Sequence, residues 1–474
     1  MADAQGHGRL AALSIAPLMM LSAALIAPAQ TFTKLADLNG TDAANPEAAL
    51  AQGIDGSLYG TGAIGGSSRL CSHGCGAIFK VTPSGTVSNV YSFDFKQGAS
   101  PDAALILGPD QNFYGTTSGG GASEFGTVFK LSQEGQLTTL ANLDSATTGG
   151  FPFSGLVLGA DGNFYGTTGG QYDGPNNDGT VYSMTPGGKL TLLYSFNWCH
   201  TGADPLDALI QGPDGAFYGT SEYGGTLPNC SGAGTIFKIS ATGTLSVLYT
   251  FDLTDGGYPS GSLLQGEDGA FYGTTSQGGE YNAGTVFKIV PGGRAITLHN
   301  FGSTGDGVGP QAGLVRATDG NLYGTTYFGG AYAYGTIFGI TPDGDETVLH
   351  SFDRIDGMFV LAGLIQATNG ILYGAANSGG ASGDGTIFSL SLGLGPFVKA
   401  VPALGHVGRS VIILGNDLQG ASLVTFNGTP AEFTVNAGGT AIETSVPEGA
   451  TSGKIEVATS SGTLVSNESF RVIP

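Results

Sequence analysis

Four cysteines and two adjacent histidines are the residues of this sequence with the most evident chemistry. Cys71 and Cys75 flank His73, and His200 follows Cys199, with Cys230 further along the chain. Thiolates and imidazoles are zinc ligands, but one such loop supplies too few donors unless distant loops converge. In an oxidising compartment the same cysteines pair instead as two disulfides, Cys71 with Cys75 and Cys199 with Cys230. Asp252 with Asp255 and Asp353 with Asp356 recur as Asp-x-x-Asp-Gly. Such paired oxygens suit Ca²⁺, and they equally suit an Asx-type turn. Trp198, Tyr223, Tyr281, Tyr327, Phe328, Tyr332 and Tyr334 could offer flat faces to sugar rings or fill gaps between packed sheets. His299 and His350 stand where Tyr91, Tyr194 and Tyr249 stand in sibling repeats, which reads as structural substitution. No Ser/His/Asp order, phosphate-loop lysine or His-Glu-x-x-His motif stands out, so no catalytic residue is assigned.

The elements that must position these residues are repeats. A Tyr-Gly dipeptide occurs at Tyr59, Tyr114, Tyr165, Tyr218, Tyr272, Tyr323 and Tyr373, spaced by 50 to 55 residues, a period of propeller blades or solenoid turns. Each unit carries four short runs rich in aromatic and β-branched residues, as in "SLLQG", "AFYGTT", "GTVFKIV" and "AITLHNF". Gly, Pro and Asp-Gly separate the runs, so they predict strands, with Asp55, Asp161, Asp214, Asp268 and Asp319 turning hairpins. Small residues precede the leucine of each innermost run (Ala49, Ala104, Gly155, Ala208, Ser262, Gly313, Gly363), as crowding about a central axis requires. The seventh unit lacks its fourth run, and "TFTKLADL" at 31 to 38 matches the missing one. The expectation is an all-β fold: a seven-bladed β-propeller of ~52-residue repeats over 30–393, its ring closed by the N-terminal strand. The uniform first-to-second and third-to-fourth turns predict one plain scaffold face. The variable loops, carrying all four cysteines, share the other face, where recognition is expected.

The unit "LLQGEDGAFYGTTSQGGEYNAGTVFKI" resembles the GloVer repeat of "choice-of-anchor" tandem-repeat proteins, over roughly residues 31 to 393. That resemblance implies a bacterial extracellular repeat scaffold and no established activity. Residues 396–474, with "SVIILGNDLQGASLVTFNGTPAEFTV" and "SGKIEVATSSGTLVSNESFRV", resemble an IPT/TIG immunoglobulin-like domain. Bottom-up, short strands with turn signals every ten or so residues already predict a small β-sandwich there.

The net charge of -21 over 474 residues disfavours nucleic acid and anionic membrane surfaces as partners. The first 29 residues read as a signal peptide, with an apolar run from Leu10 and a small-residue cleavage site at Ala27-Pro28-Ala29. Together these predict a bacterial protein secreted or periplasmic, monomeric and off the membrane after cleavage. The expected role is non-enzymatic binding, adhesion or scaffolding, with a glycan or a cell-surface protein as partner. The alternative is a polysaccharide-degrading lyase or glycoside hydrolase. A His or Tyr meeting two carboxylates in one rim pocket is the feature that would favour the enzyme.

Overall fold

The computed structural model describes residues 30–170, 178–290 and 293–473; the expected signal peptide over 1–29 lies outside them. Among the described residues the chain is all-β apart from a 3₁₀ turn at Pro228–Cys230. No helix among the described residues is long and apolar enough to cross a membrane. Each repeat is built on an antiparallel four-stranded meander; in the fifth its strands are Leu264–Gln265, Phe271–Gln277, Thr285–Ile289 and Ala295–Asn300, and a short fifth strand, Gly257–Pro259, also pairs with Phe271–Gln277. Among the described residues, seven such sheets follow one another between Thr31 and Ser391. The second and third strands are buried along almost their whole length because sheets cover both of their faces. The outer strands are the ones that meet solvent.

The last sheet takes its outer strand from the start of the chain. Thr31–Asp37 pairs antiparallel with Thr386–Ser391, from Thr31 opposite Ser391 to Asp37 opposite Thr386. The seven small residues at the inner strands line one common cavity. A Cβ on Gly313 would lie 2.6 Å from the Ser262 carbonyl, and one on Gly363 would lie 3.7 Å from the Cβ of Ala49. First and seventh repeats are therefore neighbours, and small side chains are what the crowding there permits.

The repeated motif decodes residue by residue. In the fifth repeat Asp268 Oδ1 accepts the Ala270 N–H to close the turn, and Oδ2 accepts the Tyr272 hydroxyl at 2.9 Å and pairs with Lys288 at 2.7 Å. The same Asp–Tyr–Lys set recurs at Asp55, Asp110 and Asp214. Of the two threonines after Tyr-Gly, one donates to the inner strand of the next repeat, as Thr274 does to the Ala312 carbonyl at 2.9 Å. The other meets a threonine of the third strand, as Thr275 does Thr285 at 2.8 Å. The glycine before that third-strand threonine, Gly284, has φ +96°, and a Cβ there would lie 2.3 Å from the Thr275 carbonyl. Gly273 leaves room for the buried Phe287 ring, which a Cβ would approach to 2.5 Å.

Beyond Ser391 two four-stranded sheets enclose a separate core. Val411, Ile413 and Ile442 of one face Val424, Phe426, Ile455 and Val457 of the other. This sandwich is seated on the Asp-Gly turn face of the ring. Ile412, Leu414 and Ala441 pack with Tyr59 and Leu107, Asn436 donates to the Ile54 carbonyl at 2.8 Å, and Lys454 reaches Glu267 at 3.1 Å. The face expected to be plain scaffold is thus a docking face. The first of its Asp-Gly turns lies directly against the second unit, since a Cβ on Gly56 would stand 3.1 Å from the Thr440 side chain.

Candidate functional site at the axial opening and rim

Where the loops between repeats enter the inner strands, the chain places carboxylates around the axial cavity, which has a volume of about 260 Å³. Glu47, Asp102 and Asp207 line it, with Phe153, Leu206 and Leu361 among the apolar residues beside them. Asp102 and Asp207 keep some surface toward the cavity, while the ring strips bulk water from them. That desolvation pushes each carboxyl up to about 7, against hydrogen bonds from Ser118 to Asp102 and from the Gly261 N–H and Thr220 to Asp207. The negative charges of Glu47 near Asp102 and Glu222 near Asp207 add to the rise. Glu47 is also raised by burial, offset by its bond from Asn377.

Outward from Asp207 the same field continues onto the rim. Burial raises Glu222 and Asp204, and each is raised further by a carboxylate neighbour, Glu222 by Asp204 and Asp204 by Asp178. Tyr223 stands beside them, its phenol held above its usual range by burial and by Glu222 and Asp204. Trp198 lies parallel to Tyr223, with ring centroids 5.8 Å apart and planes 8° apart, and Tyr258 meets Tyr223 edge-on at 5.4 Å. Trp198 remains 42% exposed. Its backbone N–H donates to Asp178 at 2.9 Å and its indole N–H to the Cys230 carbonyl at 3.4 Å. A half-open indole on an aromatic support, bordered by hydrogen-bonding acids, can stack a ring and bind its hydroxyls.

The cysteines are the disulfides Cys71–Cys75 and Cys199–Cys230, and no free cysteine remains among the described residues. The metal alternative at these thiols is thereby removed, and the pairing points to an oxidising compartment. The second bond joins the loop carrying Trp198 to the loop after Tyr223. His73 meets Ser72, and His200 meets Asn197 at 2.6 Å.

The paired aspartates are engaged in turn bonds. Asp252 accepts the Thr254 N–H and hydroxyl, and Asp255 accepts the Tyr249 hydroxyl. Asp353 accepts the N–H groups of Ile355 and Asp356, and Asp356 accepts from Asp353 N–H and meets His350 at 2.8 Å. His299 makes the corresponding contact to Asp306 at 3.0 Å, so both histidines do take over the tyrosine's place. The remaining rim aromatics do not gather at one site with Trp198. Tyr327, Phe328 and Tyr334 surround Phe359, while Tyr281 and Tyr332 project into solvent. The sequence reading missed Glu47, Asp102, Asp204, Asp207 and Glu222. The recurrence of "NPEAAL" at 45–50 and "SPDAAL" at 100–105, an acid just ahead of the axial small residue, was the available signal.

The family model of the Gloeobacter/Verrucomicrobia repeat matches residues 24–172, 71–267 and 231–441, running past the boundary expected near 393. A fungal alcohol oxidase of the AA5 family, solved in complex with copper, is similar in structure at 14% identity. Its TM-score is 0.53, over 94% of this chain and 99% of that chain. A periplasmic gluconolactonase of Pseudomonas aeruginosa is similar at 16% identity, with TM-score 0.45 over 71% of this chain and 97% of that one. No curated protein sequence matches. At these identities the likeness to the oxidase extends to the fold alone.

Proposed function

The chain belongs to the Gloeobacter/Verrucomicrobia repeat family, and from that premise we propose that it is an exported bacterial carbohydrate-binding protein. In this reading the seven sheets are the blades of a propeller, residues 1–29 are its signal peptide, and the C-terminal sandwich is an immunoglobulin-like module of IPT/TIG type. The protein works as a monomer outside the cytoplasm, on glycan or other cell-surface material. The observation that carries the reading is the Trp198–Tyr223 stack held by Cys199–Cys230 beside Glu222 and Asp204. A rigid aromatic face loses little entropy on binding, and flanking acids supply orientation. Because Tyr223 is held protonated at neutral pH, it serves as a hydrogen-bond donor and not as a proton-abstracting base.

A second reading, a polysaccharide-degrading enzyme, is favoured by one observation: Tyr223, Glu222 and Asp204 do bring a tyrosine and two carboxylates together. A glycan array combined with a polysaccharide-turnover screen of the mature chain separates the two. Binding without release of reducing or unsaturated sugars supports the first; sugar release establishes the second. Absence of both glycan binding and sugar release removes both carbohydrate readings. Trp198→Ala is expected to weaken binding roughly tenfold, the scale of one lost aromatic contact.

A further inference from the structure

One cluster lies apart from the axial site, at the outer seam between the fifth and sixth sheets. In that seam the first residue of the outer strand is apolar in the first five repeats, where Val87, Leu137, Leu190, Leu245 and Ala295 open the strands Val87–Ser92, Leu137–Asn142, Leu190–Ser195, Leu245–Thr250 and Ala295–Asn300. In the sixth repeat the residue is Glu346, at the start of Glu346–Ser351. The turn just before it lies against the neighbouring outer strand, since a Cβ on Gly344 would stand 2.7 Å from the Leu298 carbonyl. Glu346 therefore faces His299 and the buried Asp306.

The donor inventory of this cluster is incomplete. His299 Nε2 meets Asp306 Oδ2 at 3.0 Å. Asp306 also accepts the N–H groups of Gly302 and Gly307. Glu346 Oε1 is shut off from solvent and has no hydrogen-bond partner. One ligand atom from each of the three residues lies within 4.8 Å of the others. Two carboxylates against one imidazole leave the seam short of positive charge, and with Asp306 buried and Glu346 Oε1 sealed from solvent that shortfall is costly. Leucine would fill the position without that cost, as it does in sibling repeats.

We propose that His299, Asp306 and Glu346 form a binding site for a divalent transition-metal ion of the Zn²⁺ type, which clamps the fifth sheet to the sixth. One nitrogen and two carboxylate oxygens suit Zn²⁺, whereas Ca²⁺ and Mg²⁺ favour all-oxygen shells. Two donors on a Zn²⁺ ion at about 2.1 Å stand roughly 3.4 Å apart, close to the His299–Asp306 separation. The ion takes the place of the proton between those two atoms and meets Glu346 Oε1 on its third side. Water completes the shell.

The test is calorimetric titration of the EDTA-treated, tag-free full chain with Zn²⁺, and with Ca²⁺ in parallel, followed by thermal unfolding of each sample. The wild type is expected to bind one equivalent of Zn²⁺ that Ca²⁺ does not displace, with a rise in Tm. Glu346→Leu installs the sibling residue and His299→Tyr installs the sibling hydrogen-bonding side chain, so both variants are expected to fold. Each should weaken Zn²⁺ binding at least tenfold and abolish the Tm rise. Failure of the wild type to bind Zn²⁺, or equal binding by Glu346→Leu, overturns the proposal.

Discussion

At the scale of single residues, the axial acids carry a pH signature whose sign is fixed by burial. Asp207 is pushed up to about 7 in the folded chain, mainly by desolvation, from an ordinary value near 3.8. Below about pH 4 it is protonated in both folded and unfolded chains, and its contribution to stability is fully present. As pH rises from about 4 to about 7 the unfolded chain releases the proton first, and stability falls by at most about 1.4 kcal/mol per pH unit. Asp207→Asn is therefore expected to unfold at a higher temperature than wild type at pH 8 and to match it at pH 4, as read by calorimetry. An unchanged difference across that range would show that Asp207 titrates normally. None of this was legible from the sequence beyond the recurring acid before the axial small residue. Linear spacing places an Asp on a strand, but only ring closure brings Glu47, Asp102 and Asp207 around one space.

At the scale of the element, the repeat unit was legible and its internal bonds only partly so. Alternating apolar runs with Asp-Gly turns specify four strands, and the structure has those strands. The role of Asp268 as a turn residue followed from its type and place. Its pairing with Lys288 did not, because the partner lies a strand and a loop away and is set by cross-strand register. Asp268→Ala is expected to cost about 1 kcal/mol, chiefly through the turn bond to Ala270, since the ion pair is partly solvated. Chemical denaturation of the variant, with Asp319→Ala as the comparison lacking a lysine partner, checks that division; Gly339 stands opposite Tyr323 there. The rim loops admit a second test. Cys199→Ser with Cys230→Ser should lower the unfolding free energy by about 3 kcal/mol and weaken glycan binding together, because one bond holds both loops of the aromatic stack.

At the scale of the whole molecule, the fold was legible because closure leaves a mark in sequence: a unit lacking one strand at one end and a spare strand at the other. The seat of the C-terminal sandwich left no comparable mark. Its contact residues, such as Ile412 and Leu414, look in sequence like any strand interior, and only the three-dimensional face shows that they cover Tyr59 and Leu107. A chain ending at residue 393 is expected to expose that apolar patch and to self-associate, which light scattering would detect; a monodisperse, equally stable product would show that the sandwich merely rests on the ring. The pairing of Thr31–Asp37 with Thr386–Ser391 also sets an order of events. Among the described strands, Thr31–Asp37 is made before its partner by more than 300 residues, so until the seventh repeat exists it is a sticky edge without that partner. Lys34 and Asp37, joined at 2.8 Å, put charges of both signs on that waiting edge, the kind of guard that discourages a stray strand, including one from another copy, from taking the place before the ring can close on itself.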